Sequence, residues 1–192
     1  MGLKPSSMSP PRLTWGMPAP VQEEIEVVNS LNFRRTQLAM PLQSISKERA
    51  VGRYEFLDNV AVADCALEVE ADDLNDLFET ATRAVAEIMV DPETLPTTVE
   101  RIVSLTADSL DLLLYDWLSE LIYLKDAEQV VFTRVEAEVT REPVCRVTAR
   151  LWGGRIDPER TGLRADAKAV TLHLFVLEPR GKGWYARVVI DI

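Results

Sequence analysis

Hydrophobic and polar positions alternate over several stretches of the chain. In one of them Leu67 and Val69 alternate with Glu68 and Glu70, the period of two that is typical of a half-buried β-strand. Similar patterns predict strands near Tyr54 and Phe56 and at residues 65–69, 99–107, 130–140, 144–151, 169–177 and 184–190. Turn-forming residues at 142–143 and 179–181 predict that the last four of these strands form two hairpins.

Two other stretches have the spacing of an amphipathic helix. Asp72 or Asp73 is a suitable N-cap for the first helix, which ends where a proline follows an aspartate at residues 91–92. Its apolar stripe consists of Leu74, Leu77, Phe78, Ala81, Val85 and Ile88. The second helix begins near residue 108 or 109, and its broader stripe consists of Leu110, Leu113, Leu114, Trp117, Leu118, Leu121 and Ile122.

This succession of elements predicts the fold class. Two helices among about six strands, with the strands clustered as hairpins, indicate an α+β domain whose helices pack on one face of a mainly antiparallel sheet. The domain spans residues 53–192, a common size for a single domain. Residues 153–162 are interpreted as a loop, and Gly153 and Gly154 as a turn, because no helix follows them.

The first 50 residues differ from the rest in composition. They contain six of the 11 prolines and several serines, and they carry six Lys or Arg against four Glu. Prolines at this density disfavour helix interiors and central strands, so we expect residues 1–50 to be a poorly ordered extension. An alternative is that translation starts later, for example at Met40, and that part of this extension is never made.

Charge restricts the binding partners of the domain. The whole chain has a formal net charge of −10, and the part after residue 50 carries −12 once the mildly basic extension is set aside. Because phosphate contacts need Lys and Arg, this balance disfavours direct nucleic-acid binding. It is compatible with docking on a basic protein that itself binds RNA.

Residue types also restrict the chemistry. The chain has a single histidine, His173, in the middle of a predicted strand, and it has no glycine-rich phosphate-binding loop. Cys65 and Cys145 lie in apolar segments without metal-ligand spacing, which predicts buried free thiols and a cytoplasmic protein. The start of the chain has no apolar signal region, and no stretch is long and apolar enough to span a membrane.

Carboxylates remain as the candidate functional groups. Asp64 interrupts an apolar run, and an unpaired buried carboxylate is costly, so a partner or a cation is expected nearby. The last strand stays apolar up to Asp191 and Ile192, the second of which carries a terminal carboxylate. Converging carboxylates of this kind would suit Ca²⁺ or Mg²⁺. Lys168, just before a strand, has no special context on its own.

Several motifs together resemble the archease family. They are the segments 54–58 (YEFLD) with 63–64 (AD), 112–121 (LLLYDWLSEL), 156–160 (IDPER), 168–173 (KAVTLH) and 189–192 (VIDI). They occur in the order of the family's own motifs and are distributed over the whole predicted domain. The family usually has His-Thr before its Ala-Asp, whereas this chain has Ala61 and Val62, and extra residues here leave the alignment of Asp58 against Asp64 open.

The resemblance implies a single SHS2-like domain with an accessory role. Archeases promote guanylylation and repeated turnover of RtcB-type RNA ligases in tRNA splicing and RNA repair, and they bind a divalent cation. Carried over by motif, the metal ligands would be Asp64, Asp191 and the terminal carboxylate of Ile192, with Ca²⁺ expected and Mg²⁺ or Mn²⁺ as alternatives. Lys168 would contact the ligase or its nucleotide.

The sequence therefore leaves three functional hypotheses. The leading one is a non-catalytic activator of an RtcB-type RNA ligase, and the second is a chaperone-like assembly factor for RNA-modifying enzymes. The third and weakest is a stand-alone metal-dependent enzyme, because the usual nucleophile and acid–base sets are missing. The oligomeric state does not follow from the sequence.

Overall fold

The computed structural model describes residues 51–61 and 64–192, without the side chains of residues 58–61. The predicted extension of residues 1–50 lies outside the described residues. The strands are β1 (Arg53–Ala61), β2 (Asp64–Ala71), β3 (Val99–Ala107), β4 (Val130–Thr140), β5 (Cys145–Arg155), β6 (Ala169–Arg180) and β7 (Gly183–Asp191). The helices are α1 (Leu74–Met89) and α2 (Leu110–Glu128), and a short 3-10 turn covers Pro92–Thr94.

The described strands form two antiparallel sheets. One has four strands in the order β1-β2-β7-β6, and the other has three in the order β3-β5-β4. Helix α1 packs against β2 and β4, whereas α2 packs against β6 and the three-stranded sheet. The α+β prediction with two helices on antiparallel strands is confirmed, but the strands divide into two sheets rather than one. The neighbours of β5, which are β3 and β4, come from the middle of the domain, whereas the neighbours of β7, which are β2 and β6, come from its beginning and its end.

The prediction of a turn at Gly153 and Gly154 is wrong. Both glycines lie inside β5, which continues through them to Arg155. A Cβ atom on Gly153 would lie 1.9 Å from the carbonyl oxygen of Val131, and one on Gly154 would lie 2.1 Å from that of Pro96. These glycines are therefore needed because neighbouring backbone approaches β5 closely, not because the chain turns there.

Helix α1 begins and packs as its sequence predicts. Asp73, rather than Asp72, is the N-cap, and its side chain accepts a hydrogen bond from the Asp76 amide at 2.9 Å. The whole predicted apolar stripe is buried. Two polar side chains of α1 face the free edge of β4, where Glu79 accepts from the Ala137 amide at 2.9 Å and Asn75 from the Val139 amide at 2.8 Å. The helix thus satisfies an edge strand that would otherwise expose unpaired amides.

A buried hydrogen-bond chain joins the two helices. The hydroxyl of Thr82 on α1 donates to the Phe78 carbonyl at 2.8 Å and accepts from the indole N–H of Trp117 on α2 at 2.9 Å. Trp117 and Phe78 are fully buried, and Thr82 is 1% exposed. A tryptophan can occupy this apolar centre because its single donor has a partner there.

Two other sequence predictions concern the cysteines and membrane association. Both cysteines are free thiols, Cys145 buried and Cys65 half-buried, and burial raises the pKa of Cys65. Neither of the helices found among the described residues combines the length and hydropathy needed to cross a membrane.

We predict that Thr82→Val destabilises the protein although the new side chain has the same shape. The substitution leaves the Trp117 indole N–H buried without an acceptor, which costs about 1–3 kcal/mol. Urea unfolding followed by tryptophan fluorescence would measure the loss. Adding Trp117→Phe removes the orphaned donor, so the cost of Thr82→Val should be smaller in that background. An equal cost in both backgrounds would contradict the proposed role of this hydrogen bond.

Candidate functional site

Residues from distant parts of the sequence meet at one end of the four-stranded sheet. In the β2–β7 ladder Asp64 pairs with Asp191, Cys65 with Ile190 and Leu67 with Val188. Cys65, Leu67 and Ile190 belong to the side of the sheet that faces the core. Because successive side chains of a strand point to opposite faces, Asp64 and Asp191 share the outer face and lie directly opposite each other.

Strand β6 brings Lys168 to the same place. Ala169 pairs with Asp191, and the Lys168 amide donates to the Asp191 carbonyl at 2.8 Å. Ile192 follows Asp191 directly, and its side chain packs against the hydrophobic core. The structure therefore brings the backbones of all four residues that the sequence singled out to one end of the sheet, whereas the Lys168 side chain lines a cavity against α2 and not the outer face. We call Asp64, Lys168, Asp191 and Ile192 the carboxylate site.

The position of Lys168 depends on a residue that the sequence analysis missed. Lys125 of α2 is only 7% exposed, and its ammonium group donates to Asp166 at 2.6 Å and to the Ala167 carbonyl at 2.9 Å, and forms an ion pair with Asp126 at 2.6 Å. Burial lowers its pKa, but the hydrogen bonds and charges of Asp126 and Asp166 outweigh this effect and raise the pKa overall. Lys125 thus stays charged and fixes the segment that leads into β6. In the sequence, Lys125 lies one helical turn after Leu121 and Ile122 of the apolar stripe of α2, and this spacing could have indicated that it is buried.

The Lys168 side chain is exposed beside a cavity of about 260 Å³. The cavity lies between α2 and the start of β6 and is lined by Tyr115, Ser119, Ile122, Tyr123, Asp126, Lys168, Ala169 and Val170. Tyr123 is 62% exposed. The cavity offers an aromatic surface next to a positive charge.

The carboxylate site differs from the rest of the outer sheet face in its electrostatics. Glu68, four residues further along β2 on the same face, accepts from Tyr185 at 2.6 Å and from Arg187 at 2.5 Å, and these bonds lower its pKa. Among the described residues, no Lys or Arg side chain lies within ion-pair distance of Asp64 or Asp191. Two like charges directly opposite on adjacent strands repel each other. Such a pair is stabilised by a cation.

The donor set fits a hard divalent cation. Carboxylate oxygens are the ligands that Ca²⁺ and Mg²⁺ prefer, and Asp64 and Asp191 present two carboxylates on one face. Across the side chains that the structure describes, no three His, Cys, Asp or Glu residues converge as a metal cluster. A third donor would therefore be the main-chain carboxylate expected at Ile192. The side chain of Asp58, the alternative to Asp64, lies outside the described residues, whereas Asp64 is paired directly with Asp191.

A second feature absent from the sequence analysis is an irregularity in β6. The β6–β7 register shifts between Thr171 and Val176, so that three extra residues are accommodated on the edge strand. Leu172 and Leu174 are 64% and 50% exposed, and Leu174 has a φ of 55° in the left-handed region. A bulky residue with this backbone conformation is uncommon and costs conformational energy. We call residues 172–175 the β6 bulge.

Comparisons with known proteins show the family of this chain. The profile of the archease protein family matches residues 54–192, which include every residue of the carboxylate site. The chain belongs to the archease family. An archease of Archaeoglobus fulgidus is 36% identical over 140 residues, 73% of this chain and 99% of the relative. An archease of Methanosarcina mazei is 35% identical over 142 residues, 73% of this chain and 96% of the relative.

A solved structure supports the same assignment. The solution structure of protein 1598 of Methanobacterium thermoautotrophicum superimposes with a TM-score of 0.64 at 31% identity. The superposition covers 72% of this chain and 98% of that protein. The archease relatives are therefore matched over nearly their whole length, and residues 1–50 of this chain fall outside the family match.

We predict that Asp64→Asn stabilises the cation-free protein. The substitution removes the repulsion between Asp64 and Asp191, a cross-strand effect of roughly 0.2–1 kcal/mol. Urea unfolding in EDTA would show the gain, which should shrink as salt screens the two charges.

Glu68→Gln is the matched control for this prediction. It removes a carboxylate from the same strand and face, but this carboxylate is paired with Arg187 and Tyr185. Because the folded pKa of Glu68 is lowered, its stabilisation is present above the ordinary glutamate pKa and is lost as the pH falls. Glu68→Gln should therefore destabilise the protein at neutral pH. A loss of stability in both variants would contradict the repulsion at the carboxylate site.

Proposed function

We propose that this archease-family protein is a non-catalytic activator of an RtcB-type RNA ligase and acts through a divalent cation held at the carboxylate site. The observation that carries the proposal is the convergence of Asp64, Asp191, Ile192 and Lys168 at one end of the sheet. The family resemblance supplies the ligase and its guanylylation. The geometry supports a shared role for these four residues.

Asp64, Asp191 and the terminal carboxylate of Ile192 would hold the cation, with Ca²⁺ as the expected ion and Mg²⁺ or Mn²⁺ as alternatives. The bound ion would neutralise the opposed carboxylates and present a positive centre to an incoming nucleotide or phosphate. Lys168, exposed and fixed through its backbone to Asp191, would contact the ligase or its nucleotide. In this proposal the archease binds the cation and orients the ligase or its nucleotide, and the ligase carries out the covalent chemistry.

Charge supports a protein partner rather than RNA as the direct ligand. The residues after position 50 carry a net charge of −12, which favours association with a basic, RNA-binding surface. The carboxylate site itself would repel phosphates in the absence of the cation. Binding of the cation would therefore remove the repulsion of phosphates at this end of the sheet and allow a nucleotide to approach it.

The β6 bulge supports a docking role at the same end of the molecule. The bulge begins four residues after Lys168. It exposes Leu172 and Leu174 on an edge strand. Phe175 anchors the bulge from within by a T-shaped contact with Tyr115 of α2, at 6.2 Å between ring centroids. A strained apolar segment held firmly in place suits a surface that is buried on the partner.

We predict that Ca²⁺ raises the melting temperature of the protein and that this rise depends on the carboxylate site. Ligand binding to the native state stabilises it in proportion to the ligand concentration relative to Kd. Asp64→Ala, and a variant with one residue added after Ile192, should each lose the rise. If both variants still respond to Ca²⁺ as the unaltered chain does, the cation binds elsewhere.

We predict that the protein increases the guanylylation rate and the number of turnovers of its cognate RtcB-type ligase at substoichiometric ratios. Asp64→Ala should reduce both, and so should Leu174→Asn, which removes the exposed leucine. Asparagine tolerates the left-handed conformation, so this second variant should keep its melting temperature. Ile102→Asn is the matched control, because Ile102 is 71% exposed on β3 in the other sheet.

The same assay separates the two functional hypotheses. Activation of an already folded, soluble ligase supports the proposed role. Recovery of more soluble ligase with an unchanged rate per folded molecule would favour a chaperone-like assembly factor instead. No change in guanylylation, turnover or ligase recovery would contradict both.

A further inference from the structure

One polar atom near the carboxylate site has no hydrogen-bond partner. The hydroxyl oxygen of Thr171 on β6 is buried from solvent, and it neither donates to nor accepts from any group that the structure describes. A buried hydroxyl without a partner costs free energy, so its presence needs an explanation. Valine has nearly the same shape, is favoured in strands and would avoid this cost.

The strand register places this hydroxyl next to the site. Thr171 pairs with Val189 and Ala169 pairs with Asp191, so Thr171 and Asp191 are diagonal neighbours on adjacent strands. Both residues share the outer face, because the position between them on each strand, Val170 and Ile190, faces the core. Diagonal neighbours are about 7–8 Å apart between Cα atoms and closer between Cβ atoms. The Thr171 hydroxyl and the Asp191 carboxylate can therefore meet when each side chain extends towards the other.

Several contacts fix the position of Thr171. The amide of Lys168 bonds to the Asp191 carbonyl, and the ladder runs regularly from Ala169 to Thr171. The register shift of the β6 bulge begins only after Thr171. Thr171 is thus the last regular residue of β6 before the bulge. Its side chain shares a face with that of Asp191 on the adjacent strand, and no hydrogen bond joins the two.

We propose that Thr171 is a positioning residue of the cation site, whose hydroxyl donates a hydrogen bond to the Asp191 carboxylate when the cation is bound. This inference rests on the proposed cation site. Carboxylates that ligate metals are in general hydrogen-bonded by further side chains, and loss of such a bond weakens metal binding about 10–100-fold. Cation binding would turn Asp191 into its bound orientation and give the hydroxyl its missing acceptor.

The test compares Ca²⁺ binding and cation-free stability in Thr171 variants of the full chain. Calorimetric titration should give a Ca²⁺ affinity about 10–100-fold weaker for Thr171→Val than for the unaltered chain. Thr171→Ser, which keeps the hydroxyl, should restore most of that affinity. In EDTA, Thr171→Val should melt at the same temperature as the unaltered chain or higher, because an unpartnered hydroxyl has been removed.

Thr148→Val is the matched control. It removes a hydroxyl from β5 in the other sheet, where Thr148 pairs with Ser104 at 3.0 Å, and it should leave Ca²⁺ affinity unchanged. Unchanged Ca²⁺ affinity in Thr171→Val would overturn the inference. A marked loss of stability in EDTA would also overturn it, because the hydroxyl would then stabilise the folded protein without the cation. If Asp64→Ala abolishes binding while Thr171→Val does not, the cation site stands and only the role of Thr171 fails. Absence of Ca²⁺ binding in the unaltered chain would overturn both.

Discussion

The antiparallel pairing of β2 with β7 is the interaction on which the rest of this structure depends. It joins a strand near the start of the domain to the last strand, and it lies at the centre of the four-stranded sheet. Leu67 and Val188 pair on the core side. This fixes the register, because a slip of either strand by one residue would move its apolar side chains to the outer face. The same register sets Asp64 opposite Asp191. The hydrophobic core thus determines the geometry of the carboxylate site.

Several energetically unfavourable features lie at or near that site. Two carboxylates lie opposite each other on adjacent strands, the Thr171 hydroxyl is buried without a partner, and Leu174 has a left-handed backbone. On the same face of the sheet Glu68 is matched by Arg187. Away from this site, Asp76 Oδ2 at the start of α1 is also buried without a hydrogen-bond partner. Folded proteins usually depart from local rules where function requires it. The coincidence of these three features supports a functional role for one end of the four-stranded sheet.

The edge strands β4 and β6 of the two described sheets differ in how they are covered. Helix α1 covers the edge of β4, with Glu79 and Asn75 accepting from its amides. The edge of β6 instead carries a bulge with exposed leucines. A bulge disrupts the regular ladder and so prevents simple strand addition by another chain, while it leaves apolar side chains available for side-chain contacts. The covered edge stabilises the fold, and the bulged edge suits recognition.

The sequence by itself determined the local elements and the membership of the archease family. Both helices and the strands could be predicted, because periodicity and caps are properties of neighbouring residues. The motifs indicated the four residues of the carboxylate site, whose role stays a prediction. Gly153 and Gly154 were misinterpreted because the backbone that approaches them, at Val131 and Pro96, is distant in sequence. The tertiary structure alone decided the division into two sheets, the charged anchor of Lys125 and the orphaned hydroxyl of Thr171. Each of these depends on which strand lies beside which, and long-range packing of the core sets that choice.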